Sequence, residues 1–200
     1  MPAVTIEEII AEQSRAVCDQ IAASAAFAAS EEDLRIGVHA ALREFEKAAK
    51  IGLEGHHEVS IGRGRADSVY SHVVVEYKKP GRLADSNDAP GNREVLGQLR
   101  DRLKTLEREE GRRIERLFGV GCDGNRFIFV RYRNGAWEES APAPRTPQTM
   151  ERFLRALTTL ASKGRAFQPE YLAGDFGSEA PLAREGIETF YRAIRHTKSP

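Results

Sequence analysis

Cysteine is scarce in this chain of 200 residues. Cys18 and Cys122 stand far apart, with no CxxC pair and no histidine at metal-ligand spacing. That excludes a disulfide framework and a zinc site of ordinary spacing, and it fits a reducing, cytoplasmic setting. No apolar run reaches the roughly 18 residues that a membrane span requires. The N-terminal MPAVTIEEII carries Glu7 and Glu8 where a signal peptide would carry basic residues, so a soluble protein retained inside the cell is expected. An excess of one charge is missing too: Lys+Arg and Asp+Glu both number 30, and the overall basicity common in nucleic-acid binders is not there. No internal repeat is visible. With 40% hydrophobic residues, the length suffices for one substantial core rather than two full domains.

Apolar spacing sorts the chain into elements. Thr5 with Glu8 makes a capping-box pattern, and Ile6, Ile9, Ile10, Val17 and Ile21 recur at helical intervals, which predicts a helix over 5–28. Ser30 caps a second helix carrying Leu34, Val38, Leu42 and Phe45, which runs until Gly52. From Gly55 the pattern changes to short β-prone runs, HHEVSIG, RADSVYS and HVVVEYK, which predict a three-stranded antiparallel meander. The segment PGRLADSNDAPG is a flexible loop by composition, and a helix follows over 93–108 with Val95, Leu99 and Leu103 on its apolar face. RLFGVGC and RFIFVRY are two further strands joined at Asp123-Gly124-Asn125, a strong hairpin signal, with Trp137 beyond them closing the sheet. After the Pro-rich APAPRTPQ, Pro147 opens another helix. The tail holds EYLAGDFG and the amphipathic PLAREGIETFYRAI.

The expected fold is α/β: a mixed central sheet in αβββαβ order flanked by helices, with extra N- and C-terminal helices. Residues 1–30 are expected to form an accessory helix, 31–140 the core, and 141–200 a helical extension, either closing a nuclease-only protein or leading into further domains of a longer chain.

The chemistry concentrates in GRADSVYSHVVVEYKKPG. Alternate residues of a strand share a face, so Glu76 and Lys78 project together while Val73, Val75 and Tyr77 project to the other side. The V-V-V run marks a buried central strand, where charges are costly unless they have work to do. Asp67 lies on the preceding strand, so two carboxylates and an ammonium can converge. Hydrolysing a phosphodiester requires charge neutralisation on phosphorus and an activated water, and a divalent cation supplies both. Mg²⁺ takes one or two carboxylates with waters and phosphate oxygens. Asp67 and Glu76 supply those ligands, the Tyr77 carbonyl is available as another, and Lys78 would stabilise transition-state charge or position the attacking water. The helix before the meander ends near Glu44 and Glu46, and Glu58 on the first strand is a further acid able to face the site.

This segment resembles the PD-(D/E)XK nuclease superfamily. Together with GVGCDGNRFIFVRY and EYLAGDFG it is similar to the N-terminal nuclease region of single-chain restriction-modification enzymes, in which an adenine-specific DNA methyltransferase follows. The resemblance implies a restriction-endonuclease-like core and Mg²⁺-dependent cleavage of double-stranded DNA, with Mn²⁺ able to substitute. It implies that Asp67 and Glu76 bind the metal and Lys78 assists hydrolysis, with a further carboxylate from the first core helix at Glu44 or Glu46. Methyltransferase and target-recognition regions in the same longer chain, and pairing of protomers on DNA, are expected with it. Ala66 stands where the family name has Pro. Some members carry a Gln followed four residues later by Tyr; here Gln98 is followed by Arg102, and Gln98 is expected to face solvent. The rival reading is an inactive nuclease-like module kept for DNA binding or assembly.

Other features read blandly. Gly119, Gly121 and Gly124 spell GxGxxG, but a strand follows where a phosphate site needs a helix. His56 and His57 lack metal-ligand spacing. His72 lies in a turn, and Tyr70 and Lys79 are candidates for backbone contact with nucleic acid. The basic-leaning stretch from Arg100 through Arg102, Lys104, Arg108, Arg112, Arg113, Arg116, Arg126 and Arg131 to Arg133 is either a DNA-facing surface or a solvated face neutralised by acidic neighbours.

Overall fold

The structure, a computed structural model, describes residues 5–61 and 64–163. EYLAGDFG and the amphipathic stretch after it lie outside the described residues, as do the side chains of residues 60, 61, 64, 65, 162 and 163. In chain order the elements are α1 (Ile6–Phe27), α2 (Glu31–Ala49), β1 (Gly52–Leu53), β2 (Gly55–Ile61), β3 (Gly64–Tyr70) and β4 (Val73–Tyr77). Then come α3 (Pro90–Glu110), a 3-10 turn (Ile114–Arg116), β5 (Phe118–Cys122), β6 (Arg126–Arg133), β7 (Ala136–Glu139), β8 (Ala143–Pro144), α4 (Pro147–Ala161) and β9 (Ser162–Lys163).

The helix starts are set by side chains that satisfy the free amides of the first turn. The Thr5 hydroxyl accepts from the Glu8 amide, and the Glu8 carboxylate accepts from the Thr5 amide at 2.7 Å. Ser30 and Asp33 repeat the arrangement at the start of α2. Lys50, in the left-handed region at φ 51°, turns the chain out of α2 and into β1, which pairs with β9.

The main sheet runs β2-β3-β4-β5-β6-β7, with β8 also pairing to β6. The β2–β3–β4 meander is antiparallel, β4–β5 is parallel, and β5–β6–β7 is antiparallel. A parallel neighbour demands a crossover, and α3 provides it. Alternation along each strand then divides the core. Val73, Val75, Tyr77, Phe127 and Phe129 face a layer built from α1, α2 and α4. Val74, Ile128 and Val130 face Val95, Leu99 and Leu103 of α3. Each such aliphatic or aromatic side chain contributes about 1.5–3 kcal/mol by leaving water. A mixed sheet covered by helices on both faces is the expected coarse class, and α1 and α4 share one core with α2.

Two features set the backbone around the end of β4. Gly119 and Gly121 let α3 lie close on the sheet, since a Cβ at Gly121 would run into the Val95 side chain. Gly124, at φ 81°, completes the β5–β6 turn, so the three glycines serve packing and a hairpin. The segment after Lys78 is pinned despite its loop-like composition. Buried Asp123 accepts from Leu83 N–H at 2.9 Å, and the Asn92 amide donates to Ala84 and Ser86 carbonyls at 2.9 and 2.7 Å.

Candidate active site

Every position of β4 is buried. Glu76 and Lys78, which share Val74's side of the strand, retain only 4% and 6% exposure. Two charges at that depth are costly unless paired, and they pair with each other: Lys78 Nζ lies 3.6 Å from Glu76 Oε1. The backbone of Lys78 is fixed by its amide, which donates to the Cys122 carbonyl at 2.8 Å.

Beside this pair the sheet forks. The β3–β4 ladder joins Tyr70 to Val73, Val69 to Val74 and Ser68 to Val75, and no further. The next residue of β3 is Asp67, which would stand opposite Glu76. Its carboxylate takes over the ladder, with Oδ2 accepting from the Tyr77 amide at 2.7 Å. A residue's N–H and C=O point to the same side of its strand, so the Tyr77 carbonyl is directed toward the fork as well. The β2–β3 pairing is also interrupted here, between His57–Ser68 and Val59–Ala66. Glu58, in the gap, sits at φ 53°, an uncommon and strained conformation for a non-glycine residue.

Helix α2 presents its N-terminus to the fork. Ser30, Glu31, Glu32, Arg35, Glu58 and Asp67 line a cleft of about 400 Å³. Glu31 Oε1 lies 3.9 Å from Lys78 Nζ. Arg35 pairs with both Glu32 and Glu58, the latter at 3.6 Å. Carboxylates outnumber cations around the cleft, which favours a bound cation.

Glu76 is unsatisfied as it stands. Its Oε2 is buried with no hydrogen-bond partner. Burial, with the nearby Asp67 charge, pushes its carboxyl up to about 7, against the opposing pull of Lys78 and Arg102. Across β4, Gln98 is half-buried and its Oε1 has no hydrogen-bond partner, so this residue does not face solvent as expected. An orphaned carboxylate oxygen, a second carboxylate and a carbonyl form an oxygen donor set that suits a hard divalent ion. Among the described residues, no group of three His, Cys, Asp or Glu is arranged to hold a metal. A cation here would therefore rely on Asp67, Glu76, a backbone carbonyl and waters.

The structure brings Asp67, Glu76 and Lys78 together and places Glu58 beside Asp67 in the adjoining cleft. It does not bring Glu44 or Glu46 there. Both lie toward the far end of α2, about 20 Å from its first turn at ~1.5 Å per residue. Glu44 is exposed and paired with Lys47 at 2.7 Å. Glu46 is buried, and its Oε1 accepts from the Leu53 amide at 2.5 Å, fixing β1. The helix acid near Lys78 is Glu31, which the sequence reading missed. Its signal was present: an acidic residue directly after the Ser30 cap, in the helix that precedes the meander.

Tyr70, His57 and His72 are tied into the fold, whereas Lys79 is exposed. Tyr70 is buried rather than available to a ligand, and His39 Nδ1 lies 3.4 Å from its hydroxyl. His57 bonds Ser68 at 2.8 Å, and His72 bonds Ser71 at 3.0 Å. Much of the basic-leaning stretch is neutralised: Arg100 by Glu139, Arg108 by Glu109, Arg112 by Glu110, Arg126 by Asp85 and Arg131 by Glu138. Lys104 lies over the Trp137 ring. Comparison with protein-family models, with curated proteins and with solved structures returned no match to this chain.

Proposed function

We propose that this protein is a metal-dependent endodeoxyribonuclease of the restriction type, hydrolysing phosphodiester bonds of double-stranded DNA at the β3–β4 fork. One observation carries the reading: a buried Glu76–Lys78 pair beside Asp67, at the point where the sheet opens into an acidic cleft. The element order α2, β2-β3-β4, α3, β5 supports a restriction-endonuclease-like core.

Asp67 and Glu76, with the Tyr77 carbonyl, would hold Mg²⁺, or Mn²⁺ in its place. The bound ion would supply Lewis-acid stabilisation of the pentacovalent phosphate and a more acidic water. Asp67 is held in place by the Tyr77 amide, and Glu76 offers its unpartnered Oε2. Lys78 is tethered between Glu76 and Glu31. While protonated it has three donors and no acceptor, so it serves by donating to the attacking water or to a phosphate oxygen. Deprotonating the water is then left to another group. Glu31, exposed at the cleft and 3.9 Å from Lys78, is a positioning residue for that ammonium. DNA recognition would come from methyltransferase and target-recognition regions of a longer chain, and pairing of two protomers would cut both strands. A cytoplasmic setting belongs to the same reading.

The test is cleavage of supercoiled plasmid with Mg²⁺ or Mn²⁺ by the wild-type chain, Asp67→Asn, Lys78→Ala and Glu44→Gln. Wild type and Glu44→Gln nick the plasmid only with metal, and the other two lose about 100-fold or more of the rate. Metal-independent nicking, or undiminished nicking by Asp67→Asn and Lys78→Ala, would refute the assignment. Metal binding without cleavage under any condition would favour the inactive binding module.

A further inference from the structure

A second cavity, of about 300 Å³, lies against the α1/α2/α4 face of the sheet, where β5 begins and β6 ends. This is the opposite end of these strands from Glu76, which pairs near the end of β5 at Gly121. Its apolar floor is Phe118 and Phe129, and Arg131, Ser140 and Arg152 reach it from β6, the segment after β7, and α4. The Arg152 guanidinium carbon lies over the Phe129 ring, 4.2 Å from its centroid.

The charges here are unevenly matched. Of the two acids on the rim, Glu139 is paired with Arg100 of α3, and Glu138 Oε2 takes Arg131 Nε at 2.5 Å. Arg152 has no carboxylate at ion-pair distance among the described residues. Its strongest charged neighbour is Arg131, and burial together with that like charge lowers its pKa. Ser140 Oγ accepts from the Phe129 amide at 2.9 Å, which leaves its hydroxyl proton available to donate to a ligand. Two guanidinium-bearing residues and a hydroxyl-bearing one, from three separate segments, thus line one space. Guanidinium forks match phosphate oxygens, and donors from three segments suit a tetrahedral oxyanion better than a planar carboxylate. The cavity is at the small end of ligand sites, which limits the occupant to about the size of a nucleoside monophosphate.

We infer that this cavity is a binding site for the phosphate group of a small phosphomonoester, held by Arg152, the free edge of Arg131 and Ser140, and separate from the metal-dependent site. The position of Arg152 over the Phe129 ring is the binding posture, because it holds the guanidinium at the cavity without a carboxylate partner among the described residues.

Calorimetric titration of the whole chain with inorganic phosphate, dAMP, deoxyadenosine and a blunt 5′-hydroxyl duplex tests this, using wild type, Arg152→Met and Asp67→Asn. Arg152→Met keeps the apolar stem over Phe129 and removes the charge, so loss of packing and loss of ligand are separated. A thermal melt checks that the variant is folded. The site requires that dAMP and phosphate bind while deoxyadenosine does not. It further requires that Arg152→Met weaken dAMP by about tenfold or more and that Asp67→Asn bind dAMP like wild type. No binding of either phosphate compound, or equal binding by folded Arg152→Met, would overturn it. Binding of the duplex alone, lost in Arg152→Met, would also overturn it and assign Arg152 to the nucleic-acid backbone instead.

Discussion

Glu76 departs from what stability alone would select. Its carboxyl is buried, one oxygen lacks a partner, and its pKa rises to about 7 from an ordinary 4.5. Between those two values the unfolded chain has released the proton and the folded chain keeps it. The metal-free protein therefore loses stability as pH climbs through that window, by up to about 3 kcal/mol. Below pH 4.5 this penalty is absent, and above about 7 it is complete. Urea denaturation with a chelator present, at pH 5 and pH 8, measures it. Glu76→Gln, which cannot ionise, is expected to be more stable than wild type at pH 8 and to lose the pH dependence; parallel pH profiles for the two proteins would refute the burial argument. Adding Mg²⁺ is expected to restore wild-type stability at pH 8, because a bound cation favours the ionised form.

At the scale of elements, α2 joins the site by its first turn and the rest of the fold by its last. Glu31 faces Lys78, whereas Glu46 holds the Leu53 amide. Glu46→Ala leaves that buried amide without its acceptor and is expected to lower stability by about 1–3 kcal/mol, with metal-dependent cleavage per folded molecule unchanged. Glu44→Ala, which breaks only an exposed pair, changes stability by less than about 0.5 kcal/mol. Thermal melts alongside cleavage rates distinguish these; a Glu46→Ala protein that folds normally and loses cleavage would return Glu46 to the site. The main helices and strands were legible because their signals are local, whereas the short β1, β8 and β9 were not. Capping boxes at Thr5 and Ser30, alternation in VVVEY and the hairpin at Asp123 each need only a few consecutive residues. Which end of α2 meets the sheet is decided by packing between distant segments, through Phe45 and Val38 against the strand layer. Spacing along one helix does not carry that information, so it points to Glu44 and Glu46 where the structure places Glu31. Gln98 was misread for a similar reason, since its burial depends on how α3 lies across β4.

For the molecule as a whole, two candidate sites of opposite character lie at opposite ends of one sheet: an acidic fork suited to a cation, and an arginine-lined cavity. The trio Asp67, Glu76 and Lys78 was legible because strand parity and a central-strand pattern together make buried charge conspicuous. The fork was not, since the break in the β3–β4 ladder and the positive φ of Glu58 leave no mark in local composition. Nor was the arginine cavity, whose residues come from β5, β6, α4 and the segment after β7. The central claim is that the fork binds a divalent cation. Its most direct test is titration of the whole metal-free chain with Mn²⁺, followed by electron paramagnetic resonance, for wild type, Asp67→Asn, Glu76→Gln and Glu44→Gln. Wild type and Glu44→Gln are expected to bind Mn²⁺ saturably, and Asp67→Asn and Glu76→Gln at least about tenfold more weakly. Wild-type protein that leaves Mn²⁺ free in solution, or an Asp67→Asn protein that binds it equally well, would contradict that claim.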